Sequence, residues 1–417
     1  MRIGVLTYLY PPEPAFIPGS LADELAARGH QVRVLTGFPT YPTGRTYPGY
    51  RQRWRDETTT GRLTVRRVPR YPSHDGSTVR RMASHLTFAL STSLAARRYL
   101  AGVDALYVHD APASSVAAGA LLHLMRRIPA VVHVQDVWPR TLDTPVGDPT
   151  ARAAYGGFAG LLRRVYQAAS GVAVSAPSMR SLVVARGADE STMRTVLNWT
   201  DERIFRPGRP SAAARAAIGH RGRCTIMYAG NMGPHQRIET ALRAAATGGP
   251  MFDLVLVGTG AEEKRARRLA ADLGATNVRF IGQRPPDEMA DLYNAAEYQL
   301  VMMRDLPVLH GIVPSKLQAA LSCGSPIVAS AGGDTADLVE RARAGLSCPP
   351  EDWRALADRF ALAAAIPARA RHDMAERARE TYLHGMSMRS GVDQIEEMLT
   401  EAAIRGPRWS PRSQPSR

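Results

Sequence analysis

Lys316 stands in the run VPSKLQAALSCGSPIVAS, residues 313–330, and is one of only two lysines in a chain that otherwise carries its positive charge on arginine. Ser315 followed three residues later by Gln318 has capping-box spacing, and Leu317, Ala320 and Leu321 recur at helical intervals. The pattern predicts a helix from about Lys316 to Gly324, ended by that glycine and Pro326, then a short buried strand at Ile327, Val328 and Ala329. A cation in the first turn opposes the helix macrodipole by about 0.3–1 kcal/mol. Its placement is explained if an anion such as a phosphate is shared between the lysine and the free amides of that turn. A lysine extended into water is the alternative reading.

Other residues able to do chemistry follow strand-like runs. Gly230-Asn231-Met232-Gly233 comes after TIMYAG and precedes a helix, so its glycines could let backbone amides approach a pyrophosphate, and the same segment supplies His235 and Arg237. Gly258 in GTGAEE repeats the Gly-rich strand exit without completing a dinucleotide fingerprint. A Gly pair alone is more often a turn than a site; two such exits and a basic helix start in one domain can converge on a diphosphate. In the first half, His109-Asp110 ends one strand and His133-Val134-Gln135-Asp136 ends the next. Each histidine can equally be a satisfied core residue. The first strand leads into YPPEPAFIPGS, read as a stiff loop running from Tyr10 to Gly19, or simply as a structural turn. No D-x-D, H-E-x-x-H or Cys/His cluster marks a metal site, and no G-x-S-x-G marks a nucleophile elbow.

The elements that must position these residues alternate strand with helix. IGVLTY, QVRVLTG, LTVRRVP, ALYVHD, AVVHVQD and GVAVSA form one βα series, and TIMYAG, FDLVLVGTG, VRFIG, YQLVMM and PIVAS form a second. That order predicts an α/β protein of two domains with parallel sheets covered on both faces. The expected boundaries are 1–195 for an N-terminal Rossmann-like domain, 196–210 for a linker and 211–384 for a C-terminal Rossmann-like domain. Residues 385–403 read as a terminal helix with Val392, Ile395, Met398, Leu399 and Ala402 on one face, and the basic, proline-rich 404–417 as a disordered tail. In such sheets ligands bind beyond the carboxyl ends of the strands.

The 417 residues carry a formal charge of +15. Residues 1–200 hold 24 arginines against 13 acidic residues, many of them between Arg45 and Arg98, including Arg51, Arg53, Arg55, Arg66, Arg67, Arg70, Arg80 and Arg81. This basic half could bind nucleic acid, rest on anionic lipid headgroups or grip an acidic acceptor, with a solvated basic face as the commonest explanation. No aromatic-interleaved basic motif supports nucleic acid as a partner. No apolar run reaches the ~18–20 residues of a membrane helix. Cys224, Cys323 and Cys348 are far apart and odd in number, as expected of reduced packing residues. A cytoplasmic protein is expected, with peripheral contact at the inner membrane face as one use of its charge.

The motifs together resemble the glycosyltransferases of the GT-B fold, family 4, and especially the bacterial surface-polysaccharide sugar transferases of colanic-acid type. They are VVHVQDVWP at 131–139, VLNWTDERIFRP at 196–207, MYAGNMGPHQRIE at 227–239, LVGTGAEEKRARRLAADLG at 256–274 and VPSKLQAALSCGSPIVAS, with TGFPTYPTG near residue 40. The likeness runs to about residue 403. It implies two Rossmann-like domains facing across a cleft, with the C-terminal helix crossing back. It further implies a nucleoside-diphosphate-sugar donor held by the C-terminal domain, a small-molecule or glycan acceptor held by the N-terminal one, retention of anomeric configuration, no obligatory metal and no cofactor beyond that substrate.

Carried onto this chain, the donor candidates are Gly230, Asn231, His235, Arg237, Gly258, Gln283, Arg284, Pro314, Ser315, Lys316 and Leu317. The acceptor candidates are Tyr10, Gly19 and Asp110, and the catalytic candidates Asp136, Gln135 and His109. Several positions depart from the family pattern. Gly311 and Ala319 stand where many members have the two carboxylates of Glu-x7-Glu, Asn231 and Gln236 replace the common diphosphate-clamping Arg and Lys, and Gln135 replaces a cleft histidine. Lys316 is then the best remaining diphosphate partner, helped by Arg237. A nucleotide-sugar epimerase of the same fold is disfavoured by the lost carboxylates, a nicotinamide dehydrogenase by the missing G-x-G-x-x-G, and a non-enzymatic basic-surface protein remains the reading from another class.

Overall fold

The computed structural model describes residues 1–73, 78–110, 128–137 and 149–407. The helix expected between residues 110 and 130, Trp138 and Pro139 of the VVHVQDVWP motif, and residues 408–417 of the expected tail lie outside the described residues. The chain divides into two compact units, Met1–Val196 with Gly391 onward, and Leu197–Ser390.

In the first unit the strands are β1 (Arg2–Thr7), β2 (Gln31–Gly37), β3 (Asp56–Thr60), β4 (Leu63–Val68), β5 (Ala105–Asp110), β6 (Ala130–Val134), β7 (Gly171–Val174) and β8 (Met193–Thr195). They form one sheet in the order β3-β4-β2-β1-β5-β6-β7-β8. Every pairing is parallel except the hairpin of β3 with β4. β1, β5, β6 and β7 are almost continuously apolar because helices cover both faces of a parallel sheet. β3, DETTT, was not expected. It is a polar edge strand with no buried face, so it carries no alternation to read. From β1 the chain steps outward through β2 to β4, then returns to β5 and steps the other way, placing the switch point between β1 and β5.

The second unit holds β9 (Cys224–Ala229), β10 (Phe252–Val257), β11 (Val278–Gly282), β12 (Tyr298–Met302), β13 (Ile327–Ser330) and β14 (Gly345–Cys348), all parallel, in the order β11-β10-β9-β12-β13-β14. Its switch point lies between β9 and β12. Alternation divides the core: Met227, Ala229, Val255, Val257 and Val301 pack on one side with Leu317 and Ala320, and Ile226, Tyr228, Leu254, Leu256 and Leu300 on the other with Leu242 and Phe360.

Two local expectations change. Gly19 is not in a loop: the helix Phe16–Ala27 begins earlier, because Pro18 in its first turn has no intrahelical amide to lose. Gly19 is buried there, and a Cβ on it would meet Pro11 Cγ at 2.6 Å. Ser315 is not a capping residue: the helix is Ser315–Cys323, its N-cap is Pro314 with no side-chain capping bond, and Gln318 Nε2 donates to the Val313 carbonyl instead. The C-terminal end is as expected, with Gly324 in the left-handed conformation. Within the segment expected to link the two domains, Trp199 is buried, Phe205 meets Tyr293 edge-on at 5.5 Å and Asn294 Nδ2 donates to the Arg206 carbonyl, while Arg206, Pro207, Gly208 and Arg209 are exposed.

The final helix, Met388–Arg405, buries Val392, Ile395, Met398, Leu399 and Ala402, the face its spacing predicted. Its polar edge pairs within the first unit: Arg28 with Asp393 and Glu396, both at 2.6 Å, and Arg194 with Glu401 at 2.6 Å. The three cysteines are free, and burial pushes the Cys348 thiol up to about 11 and those of Cys224 and Cys323 up to about 12.

Candidate active site

Lys316 is placed by the strand on the far side of the second sheet's switch point. Its Nζ donates to the Tyr228 hydroxyl at 2.8 Å and sits 4.1 Å from the centre of that ring, while the hydroxyl donates to the Asn231 carbonyl at 2.5 Å. Tyr228 lies on β9, so one side chain ties the first turn of the Ser315–Cys323 helix to the strand exit Gly230-Asn231. Sequence reasoning missed Tyr228, because in TIMYAG it reads only as a core position. Among the described residues no carboxylate pairs with Lys316. Low-dielectric surroundings without a compensating anion pull its pKa down to about 7. The first-turn amides of Ser315 and Lys316 have no acceptor within their helix.

The second Gly-rich exit closes on the first. Gly230 N donates to Val257 O at 2.9 Å and Met232 N to Thr259 O at 2.8 Å. Gly258, at φ +122°, lies so close that a Cβ would stand 2.1 Å from the Gly230 carbonyl oxygen, and a Cβ on Gly230 would be 3.5 Å from Lys316 Nζ. Gly258→Ala is therefore expected to lower stability by about 1–3 kcal/mol, read as a reduced denaturation midpoint, because alanine adds both left-handed strain and a collision. The same change pushes Gly230 against Lys316 and should weaken nucleoside-diphosphate binding.

Gly230, Asn231, Gly258 and Lys316 are thus brought together, with Ser315 and Pro314 at the helix start. Leu317 is fully buried in the core, so only its amide belongs to this turn, and it is already bonded to Pro314 O at 2.9 Å. Arg237 pairs with Glu239 at 2.7 Å and Glu351 at 2.5 Å. His235 and Gln283 are exposed at strand exits, and Arg284 reaches Glu288 at 4.0 Å. Gln236, in the position of a clamping cation, instead accepts from Gly233 N at 3.1 Å. Gly311 and Ala319 are buried.

In the first unit the polar residues gather at the ends of β5 and β6. The Tyr107 hydroxyl lies 2.8 Å from His133 Nδ1 and 3.2 Å from His109 Nδ1, and His133 Nε2 lies 3.2 Å from the Val196 carbonyl. Burial lowers the pKa of His109 to about 3, with His133 adding to the effect, and that of His133 to about 4. Both rings are neutral near pH 7, and His109 is a poor proton acceptor. Asp110 behaves in the opposite way: burial, reinforced by the Asp136 charge, pushes its carboxyl up to about 8 despite the Tyr166 hydroxyl donating to it at 3.3 Å. Near neutrality it is largely a carboxylic acid. Gln135 N donates to Asp110 O at 3.2 Å, and Gln135 and Asp136 are half-buried just past β6.

Around the exit of β1 the structure shows a cluster the sequence did not announce. Glu13 and Arg70 are both fully buried and paired at 2.7 Å. Arg67 is also buried, its guanidinium 5.9 Å from the Tyr10 ring centre and donating to Pro11 O at 2.6 Å. The reading of Arg67 and Arg70 as members of a solvated basic face is corrected: both lie where β4 meets the core.

Two family models match the chain: the Glycosyl transferase 4-like domain over residues 17–199 and Glycosyl transferases group 1 over residues 212–381. The Escherichia coli K12 protein WcaI, named as a colanic acid biosynthesis glycosyl transferase, is 27% identical over 354 residues, covering 79% of this chain and 83% of that protein. A D-inositol 3-phosphate glycosyltransferase of Acidothermus cellulolyticus is 35% identical, over only 40% of this chain and 39% of that one. Among solved structures, sucrose-phosphate synthase of Thermosynechococcus elongatus superposes with a TM-score of 0.74 at 20% identity, covering 97% of this chain and all of the other. HepE of Anabaena, in complex with UDP and glucose, superposes at 0.66 with 18% identity, over 96% and 99%.

Proposed function

The chain belongs to the glycosyltransferases of the GT-B fold, family 4, and from that premise we propose that it moves a sugar from a nucleoside-diphosphate sugar to a small-molecule or glycan acceptor with retention of anomeric configuration. The observation that carries the donor class is Lys316, held on Tyr228 beside Gly230 at the switch point of the second sheet. A cation without a carboxylate partner, at a helix N-terminus between two Gly-rich exits, suits a diphosphate. The binding of UDP-glucose by HepE supports the same donor class.

In the proposed reaction the bond from the anomeric carbon to the diphosphate oxygen breaks while the acceptor heteroatom bonds to that carbon from the same face. Lys316, Ser315 and first-turn amides stabilise the charge on the departing diphosphate, and one of its oxygens takes the acceptor proton. No metal or further cofactor is invoked. His109, neutral and already near Tyr107, is suited to orienting an acceptor rather than to moving a proton. Asp110, Gln135 and Asp136 present the polar groups on the acceptor side.

Calorimetric titration with UDP, GDP, ADP and dTDP is expected to give one preferred ligand, since binding to the folded state alone also raises thermal stability. With the matching sugar donor and a competent acceptor, the product should keep the donor's anomeric configuration, and its rate should be unchanged in EDTA. Absence of binding by all four diphosphates would overturn the donor class; an inverted product would overturn the mechanism.

A further inference from the structure

The helix Thr78–Tyr99 has two apolar faces, of which one is spoken for. Phe88 packs edge-on against Tyr8 at 5.0 Å, Ser84 Oγ lies 2.7 Å from the Tyr8 hydroxyl, and Tyr99 Oη donates to Thr64 O at 2.7 Å, so the inner face is fixed on the first sheet. Outward stand Met82, Leu86, Leu90 and Leu94, which are 53%, 59%, 64% and 64% exposed. Spaced four apart, they form one stripe about 18 Å long. Scattered exposed leucines need no explanation; a continuous row of them does.

At the C-terminal end of the stripe a groove is lined by Trp54, Leu94, Arg55, Arg66, Arg97 and Arg98. Arg66 is partly neutralised by Glu57 at 3.3 Å, whereas among the described residues no carboxylate pairs with Arg55, Arg97 or Arg98. Trp54 is 54% exposed beside them. Apolar stripe, exposed tryptophan and unpaired arginines in one continuous surface match the boundary of an anionic bilayer, where acyl chains, interface and phosphates follow one another in depth. A second copy of a chain with charge +15 would set cation against cation. Among the described residues no helix is long and apolar enough to cross a membrane, so the helix would lie on the surface.

We propose that this face docks on an anionic phospholipid membrane, with Leu86, Leu90 and Leu94 entering the headgroup boundary and Arg55, Arg97 and Arg98 holding lipid phosphates. The surface uses none of the donor-site residues, so it can fail without affecting the transferase reading. Flotation of the full chain with phosphatidylcholine vesicles, with and without a quarter of phosphatidylglycerol, provides the test. Binding is expected only to the anionic vesicles and should weaken with salt. Arg97→Gln and Arg98→Gln should each weaken it about fivefold, and joint replacement of Leu86, Leu90 and Leu94 by serine about tenfold or more. Substitution of exposed leucines should leave the thermal midpoint unchanged, and the arginine variants give an independent reading. No flotation of folded wild type would overturn the proposal. So would undiminished binding by the serine variant, or a wild-type dimer that the serine variant converts to monomer.

Discussion

Lys316→Ala is expected to slow sugar transfer by about two to three orders of magnitude, the usual loss when one preorganised group that stabilises developing charge is removed. Its effect should fall on turnover more than on stability, because the lysine pairs with no carboxylate among the described residues and its ammonium is held by one hydroxyl and one ring. The free protein keeps this pKa near 7, and a bound diphosphate must raise it by stabilising the charged form. The sign follows. Below about pH 7 the lysine is already protonated and binding takes up no proton at this site; above it, each binding event must charge the lysine, so affinity falls as pH rises. Calorimetry in buffers of different ionisation enthalpy should show proton uptake near pH 8. Lys316→Arg should abolish that uptake, since guanidinium stays charged. Unchanged turnover in Lys316→Ala, or pH-independent binding without proton uptake in wild type, would remove the lysine from the donor site.

That site was partly legible in the sequence because its framework is written in apolar runs. β1, β2, β5, β6, β9, β10 and β12 are each covered on both faces, so composition alone marks them, and the residues after them become candidates by position. Lys316 stood out by type and place. Tyr228 did not, since a tyrosine inside a buried strand looks like any core aromatic until its hydroxyl is seen between Lys316 and Asn231. The capping-box spacing of Ser315 and Gln318 misled because Pro314 already had the extended backbone of an N-cap. Gly19 misled because four prolines nearby suggested a loop, although proline in a first turn is compatible with helix. β3 left no trace, being polar throughout.

The arginines between residues 45 and 98 show the deeper limit, since composition counts charges without saying where they point. Arg97 and Arg98 are exposed, whereas Arg70 is fully buried with Glu13, and replacing Arg70 by methionine is expected to cost about 3–5 kcal/mol of stability. The cost arises less from the lost attraction than from stranding the Glu13 carboxylate. Glu13 Oε1 also accepts from the amides of Thr40 and Tyr41 at 2.8 and 2.9 Å, and Arg70 donates to Phe38 O at 3.0 Å while its guanidinium lies 4.1 Å from the Tyr8 ring centre. The pair therefore joins the segments that leave β1, β2 and β4, at the edge of the first sheet's switch point. Gly37 is part of the arrangement: a Cβ there would meet Arg70 Cδ at 2.8 Å. Because both charges share one network, Glu13→Gln with Arg70→Met should cost less than the sum of the single changes, by about 0.5–3 kcal/mol in a double-mutant cycle of urea denaturation. Strict additivity would mean that the two residues stabilise their loops separately and that the pair does not set the exit of β1.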